Sequence, residues 1–211
     1  MATQLWLESV RNGSGVDMTP PGSLSSDTDL PLLTARGAGE QLLSANTVLG
    51  PTSGVQIKDG IPTPVSWWYR VNAVTISGAI TKNFWMAESN MSANVGAQVI
   101  IDRCDSSGAF ISTVHNSEKG TELPVGTRAA QNWNTGTVTS TTFDDGDHIR
   151  VRVYGNDVGT MASGFSFNMA VSGTTAAADG DSYVTFTETI TAYSAVPRVP
   201  RFTPYPQLLS H

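Results

Sequence analysis

Alternation of apolar and polar side chains is the strongest pattern along this chain. Ile149-Arg150-Val151-Arg152-Val153-Tyr154 and Phe165-Ser166-Phe167-Asn168-Met169-Ala170-Val171 alternate without a break. Val184, Phe186 and Ile190 share one face of a last strand, whose other face carries Tyr183, Thr185, Thr187, Thr189, Thr191 and Tyr193. A period of two places one face on a core and the other in water. Residues 65–81, rich in Val, Ile, Trp and Tyr, read as one or two strands, and 83–88 carries Phe84-Trp85-Met86. Residues 97–104 and 109–115 flank the turn Asp105-Ser106-Ser107-Gly108, so they read as a hairpin. A threonine-rich run with Val138 covers 135–143. About eight such segments, spaced by turn residues, predict an all-β fold of two antiparallel sheets packed face to face, a jelly-roll-like sandwich. The pattern holds no ten-residue helical stripe, which excludes a βαβ architecture.

Both ends depart from this pattern. Residues 1–50 contain Asn12-Gly13-Ser14-Gly15, Pro20-Pro21-Gly22 and a Ser/Asp run, which are turn and coil signals without periodicity. The apolar patch Leu5-Trp6-Leu7 is costly to leave in water, so 1–50 is read as an extended N-terminal arm ordered against a partner rather than a free tail. Residues 51–194 form the sandwich domain. Residues 195–211 hold Pro197, Pro200, Pro204 and Pro206, which oppose helix and central-strand pairing and favour extended polyproline II. They are read as a Pro-rich C-terminal arm. The expected arm contacts are Leu5, Trp6, Leu7, Arg198, Arg201, Phe202 and Tyr205.

Composition narrows the partners. Of 211 residues only 14% are charged, and the formal net charge is −6 with no basic cluster, so nucleic-acid binding is not expected. Apolar runs are too short for a membrane helix, and Met1-Ala2-Thr3-Gln4 lacks the start of a signal peptide. Cys104 is the one cysteine, which excludes an intrachain disulfide and suits a reducing cytoplasm.

Candidate chemistry is sparse. The chain has no Gly-x-Ser-x-Gly elbow, His-Glu-x-x-His, P-loop or dinucleotide fingerprint. His115, His148 and His211 stand in unlike contexts, and Cys104, at the end of an apolar strand, reads as a small buried hydrophobe. Asp144-Asp145-Gly146-Asp147 and Asp179-Gly180-Asp181 could offer oxygens to calcium, but both precede strands and read first as turns. Glu188 falls on the apolar face of the last strand and would pair with Arg150 or Arg152 if these turned inward. Trp67-Trp68-Tyr69 places alternate rings on opposite faces, and Trp133 lies in a polar segment read as a loop. These four aromatics are candidates for core, for a subunit interface, or for stacking on a sugar. No catalytic residue, metal or cofactor is expected, and the chain is read as not an enzyme.

Three segments carry a resemblance: Glu88-Ser89-Asn90-Met91-Ser92-Ala93-Asn94-Val95-Gly96-Ala97, Gly159-Thr160-Met161-Ala162-Ser163-Gly164-Phe165, and residues 177–190. Together they resemble β-sandwich domains of virion proteins from tailed double-stranded-DNA bacteriophages, in particular minor tail or head-associated proteins of phages of actinobacteria. The resemblance covers roughly 48–192 and transfers no site residues. It implies a structural virion component, a minor tail or capsid decoration protein, present in many copies. Its partners would be copies of itself, as a trimer or larger symmetric assembly, and other virion proteins. Assembly would take place in the host bacterial cytoplasm. The alternative is a carbohydrate-binding module for a host-surface glycan.

Overall fold

The long strand 148–157 is the backbone of one half of the molecule because its alternating Ile149, Val151 and Val153 are all fully buried while Arg150, Arg152 and Tyr154 turn away. The computed structural model describes residues 1–7, 29–34, 41–51, 53–58, 64–171 and 182–194. In chain order the strands are β1 (Thr3–Leu7), β2 (Asp29–Leu33), β3 (Gln41–Asn46), β4 (Val55–Gln56), β5 (Ser66–Arg70), β6 (Val74–Ile76) and β7 (Ala79–Glu88). A single 3-10 turn (Met91–Ala93) leads into β8 (Val95–Cys104), β9 (Phe110–Glu122), β10 (Ala129–Thr137) and β11 (Thr141–Phe143). β12 (His148–Asp157), β13 (Ser166–Val171) and β14 (Tyr183–Phe186) follow.

Twelve of these strands join in the order β3-β13-β7-β14-β1-β2-β5-β12-β8-β9, with β10 added on β7 and β4 on β12. Pairing is antiparallel except between β2 and β5. The sheet curls so that its two halves face each other over one core, an all-β sandwich. Trp67 and Tyr69 of β5, Val99 and Ile101 of β8, and Ile149, Val151 and Val153 of β12 fill it from one half. Phe84 and Met86 of β7, Phe167 and Met169 of β13, and Val184 and Phe186 of β14 fill it from the other. Each such side chain contributes about 1.5–3 kcal/mol by leaving water. The expected hairpin is present. Asp105 Oδ1 accepts the Ser107 and Ala109 N–H groups at 2.8 and 2.9 Å, and Gly108, at φ 87°, closes the turn.

The arm expectation needs correction within the described part of 1–50. Thr3–Leu7 is a strand of the sheet, with Leu5 opposite Val184 of β14 and Leu7 opposite Leu32 of β2. Leu5 and Leu7 are fully buried in this chain's own core, and Trp6 meets Tyr183 edge-on at 4.9 Å. The patch is covered from within: β1 supplies backbone partners to β14 and β2, and its alternation is too short to stand out in sequence. β2 and β3 also fall inside the segment read as an arm. Arg198, Arg201, Phe202 and Tyr205 lie outside the described residues, as do Asp179 and Asp181. A second correction concerns Trp133, which lies in β10 rather than in a loop, opposite Lys82 of β7.

Candidate functional site

The outer face of β5, β12, β8 and β9 should be wet by the alternation rule, yet it is where buried polar chemistry gathers. Trp68, Asp102, Cys104 and His148 all point to this face, and all are buried. Asp102 is its pivot. Its Oδ2 accepts Arg150 Nε and Nη2 at 3.0 and 2.8 Å and Arg152 Nε at 3.0 Å, and Arg152 Nη2 stands 2.8 Å away as an ion pair. Its Oδ1 accepts the Thr113 hydroxyl at 3.0 Å. Arg152 Nη1 donates to the Tyr154 hydroxyl at 2.8 Å, and the Arg150 guanidinium lies 5.4 Å from the Trp68 ring and 6.0 Å from the Phe110 ring. Two cations therefore share one carboxylate.

Cys104 and His148 are register partners on adjacent strands. His148 Nδ1 lies 2.9 Å from the Asp105 carbonyl, an acceptor only, so Nδ1 carries the proton. Its Nε2 is then an acceptor, buried and without a hydrogen bond among the described residues. Burial pushes the Cys104 thiol up to about 11, against the pull of Arg150 and Arg152. Burial also holds the His148 imidazole below its ordinary value. Both groups are neutral near pH 7, unlike the thiolate–imidazolium pair of a cysteine nucleophile.

A second polar cluster closes the seam between the free edges of β9 and β10. Lys82 Nζ is 3.0 Å from His115 Nε2, Trp133 Nε1 donates to Ser117 Oγ at 2.6 Å, and Lys119 Nζ donates to Gln131 Oε1 at 2.6 Å. Lys82 is fully buried in the inward row Ile80, Lys82, Phe84, Met86, Glu88 of β7. Burial lowers its ammonium to about 7, and burial together with the Lys82 charge lowers His115 to about 4. At the other end of that row, Glu88 Oε2 accepts the Val95 N–H at 3.0 Å. Burial and the neighbouring Glu122 raise its carboxyl to about 7, against that hydrogen bond.

The four aromatics singled out in the sequence are dispersed. Trp67 and Tyr69 are core, Trp68 belongs to the Asp102 face, and half-buried Trp133 packs edge-on against Phe84 in the seam. Asp144 and Asp147 take Arg103 at 2.8 and 2.7 Å, and Asp147 Oδ2 also accepts the Asp144 N–H. Glu188 does not meet the arginines. It accepts the Ser77 N–H at 2.8 Å and that of Gly78, while Arg150 and Arg152 face outward to Asp102. Lys82 and Asp102 were not singled out, although Lys82 shares the parity of Phe84 and Met86, a signal the sequence does contain.

No family model matches the chain, and no curated protein matches it. Solved structures do. A CocE/NonD family hydrolase from Staphylococcus aureus is similar over 90% of this chain at TM-score 0.55 and 11% identity. An α-amino acid ester hydrolase is similar over 88% at TM-score 0.53 and 11% identity. An aminopeptidase from a marine-sediment Thaumarchaeota archaeon is similar over 91% at TM-score 0.51 and 8% identity. This chain spans 37%, 36% and 37% of their respective lengths. The likeness is one of fold. It overturns the expectation that the chain is not an enzyme, which rested on the lack of a recognisable catalytic motif in the sequence, because three hydrolytic enzymes contain the fold.

Proposed function

We propose that this chain is a β-sandwich module of a larger assembly, and that the assembly is a bacteriophage particle in which it serves as a minor tail or head-decoration component. The observation that carries the first half is one of proportion. Nearly the whole of this chain corresponds to little more than a third of each larger molecule that shares its fold. A sandwich of this kind works there as part of a body. The second half rests on the three segments around Glu88–Ala97, Gly159–Phe165 and 177–190. The test is to locate the chain in purified particles of the phage that encodes it. Co-sedimentation with intact particles, at fixed stoichiometry and resistant to high salt, is the expected result. Recovery of the chain only in the soluble fraction overturns the reading.

The fold likeness favours a second reading, a sandwich that serves a hydrolase. It predicts ester- or peptide-bond hydrolysis in the purified assembly that falls when the chain is deleted.

A further inference from the structure

We infer that the outer face of β12 and β8 carries an oxyanion-binding site, in which Arg150 and Arg152 receive a carboxylate or phosphate group beside the Phe110 ring. The argument begins with charge. Both guanidiniums converge on the same Oδ2 of Asp102, so one carboxylate answers two cations and one positive charge is left over. The protein as a whole carries −6, so this surplus runs against the overall field. An uncompensated cation held among buried groups is unfavourable, and the remedy is a counter-ion. Asp105, just past the end of β8, stays ionised, but its Oδ1 is held by its own turn at Ser107 and Ala109 and it makes no ion pair with Arg150 or Arg152.

Access and geometry agree with this. The Arg150 and Arg152 side chains keep 20% and 23% exposure, whereas Asp102 keeps none. The anion pivot is therefore internal and the cations form its solvent side. Arg152 is held by Asp102 and by the Tyr154 hydroxyl, and Arg150 by Asp102 through Nε and Nη2, which leaves Arg150 Nη1 without a hydrogen bond to any described residue. Guanidiniums fixed in this way lose little entropy on taking a planar oxyanion. Phe110, 56% exposed and 6.0 Å from the Arg150 guanidinium, offers an apolar wall against which the body of a ligand, such as a sugar ring bearing a carboxylate, can lie. The inference stands on this chain alone and does not depend on the assembly proposed above.

The test uses the full chain. Inorganic phosphate, glucuronate and glucose are titrated separately while the Arg Nε–H signals are followed by NMR. Saturable shifts of the Arg150 and Arg152 signals with phosphate, with glucuronate or with both, and none with glucose, are expected; the stronger of the two identifies the source of the oxyanion. Arg150→Gln should weaken binding by about tenfold or more, since a charge-assisted hydrogen bond is lost. Arg152→Gln should weaken it likewise. Absence of a saturable shift with either anion on the unmodified protein overturns the inference, whether or not the variants fold. So does glucose shifting the same signals equally.

Discussion

Lys82 Nζ stands 3.0 Å from His115 Nε2, across the seam where the free edges of β10 and β9 approach. The pair joins the two halves of the sheet with a hydrogen bond in place of an apolar contact, and burial draws both groups away from their charged forms. Lys82 falls from 10.5 to about 7 and His115 from 6.5 to about 4. A base whose folded pKa is lowered binds fewer protons than it does unfolded, so stability rises with pH through each window. Glu88 moves the other way, from 4.5 to about 7, so the folded chain holds more protons and stability falls as pH rises through that window. From about pH 4.5 to 6.5 His115 and Glu88 oppose one another, buried His148, also held below its ordinary value, adds to the histidine side, and above about 7 the lysine acts. The urea midpoint should rise gently from about pH 5 to 6.5 and should climb from about pH 7 to 9. Lys82→Met should remove the climb, and Glu88→Gln should steepen the gentle rise below it. A wild-type midpoint that falls from pH 7 to 9 contradicts this assignment.

Asp102 answers to two arginines, so its removal should cost more than a typical surface change. Asp102→Ala leaves both guanidiniums facing each other on a partly buried surface, and a loss of about 3–5 kcal/mol is expected from chemical denaturation. The double variant Asp102→Ala/Arg152→Met should recover part of that loss, because one of the stranded charges goes with it. If the double variant is less stable than the single by the full cost of a second deletion, the two residues are not coupled through charge.

Leu5 and Leu7 test the place of β1. Each is fully buried, and Leu→Ala at either position should cost about 2–5 kcal/mol. Gln4, next to Leu5 on the opposite face of β1, should tolerate alanine within about 0.5 kcal/mol. A segment that served only to grip neighbours would leave the isolated chain's stability unchanged in all three variants.

Sequence pattern carries most of the sandwich and little of its chemistry, for definite reasons. β12 and β13 are legible because six or more residues alternate without interruption, and the β8–β9 hairpin is legible because Asp105 and Gly108 mark its turn. β1 is not, since five residues hold too few alternations and its partners, β2 and β14, lie far away in sequence. β10 hides behind Gln131, Asn132 and Asn134, polar residues that read as a loop; Gln131 is tolerated inside because Lys119 satisfies its amide oxygen. The Asp102 face is the hardest to foresee. Alternation assigns Arg150 and Arg152 to water, and only the β12–β8 register, Arg150 opposite Asp102, brings them to one carboxylate.

Cys104 gives an independent reading of that same face. Two barriers protect its thiol: it is fully buried, and burial raises it to about 11, so only about one molecule in a thousand is thiolate at pH 8. Either barrier alone slows alkylation, and together they should make the rate follow unfolding rather than thiol chemistry. Incubation with iodoacetamide at pH 8 should leave the native chain unmodified, with labelling appearing only through the urea transition and at the same midpoint as the loss of Trp fluorescence. Labelling in native buffer at the rate of a free thiol would mean that Asp102, His148 and Cys104 open together to solvent, and that Arg150 and Arg152 are then not held by a buried pivot. Cys104→Ala removes a small apolar group and should keep the chain folded, which makes it the control for modification elsewhere.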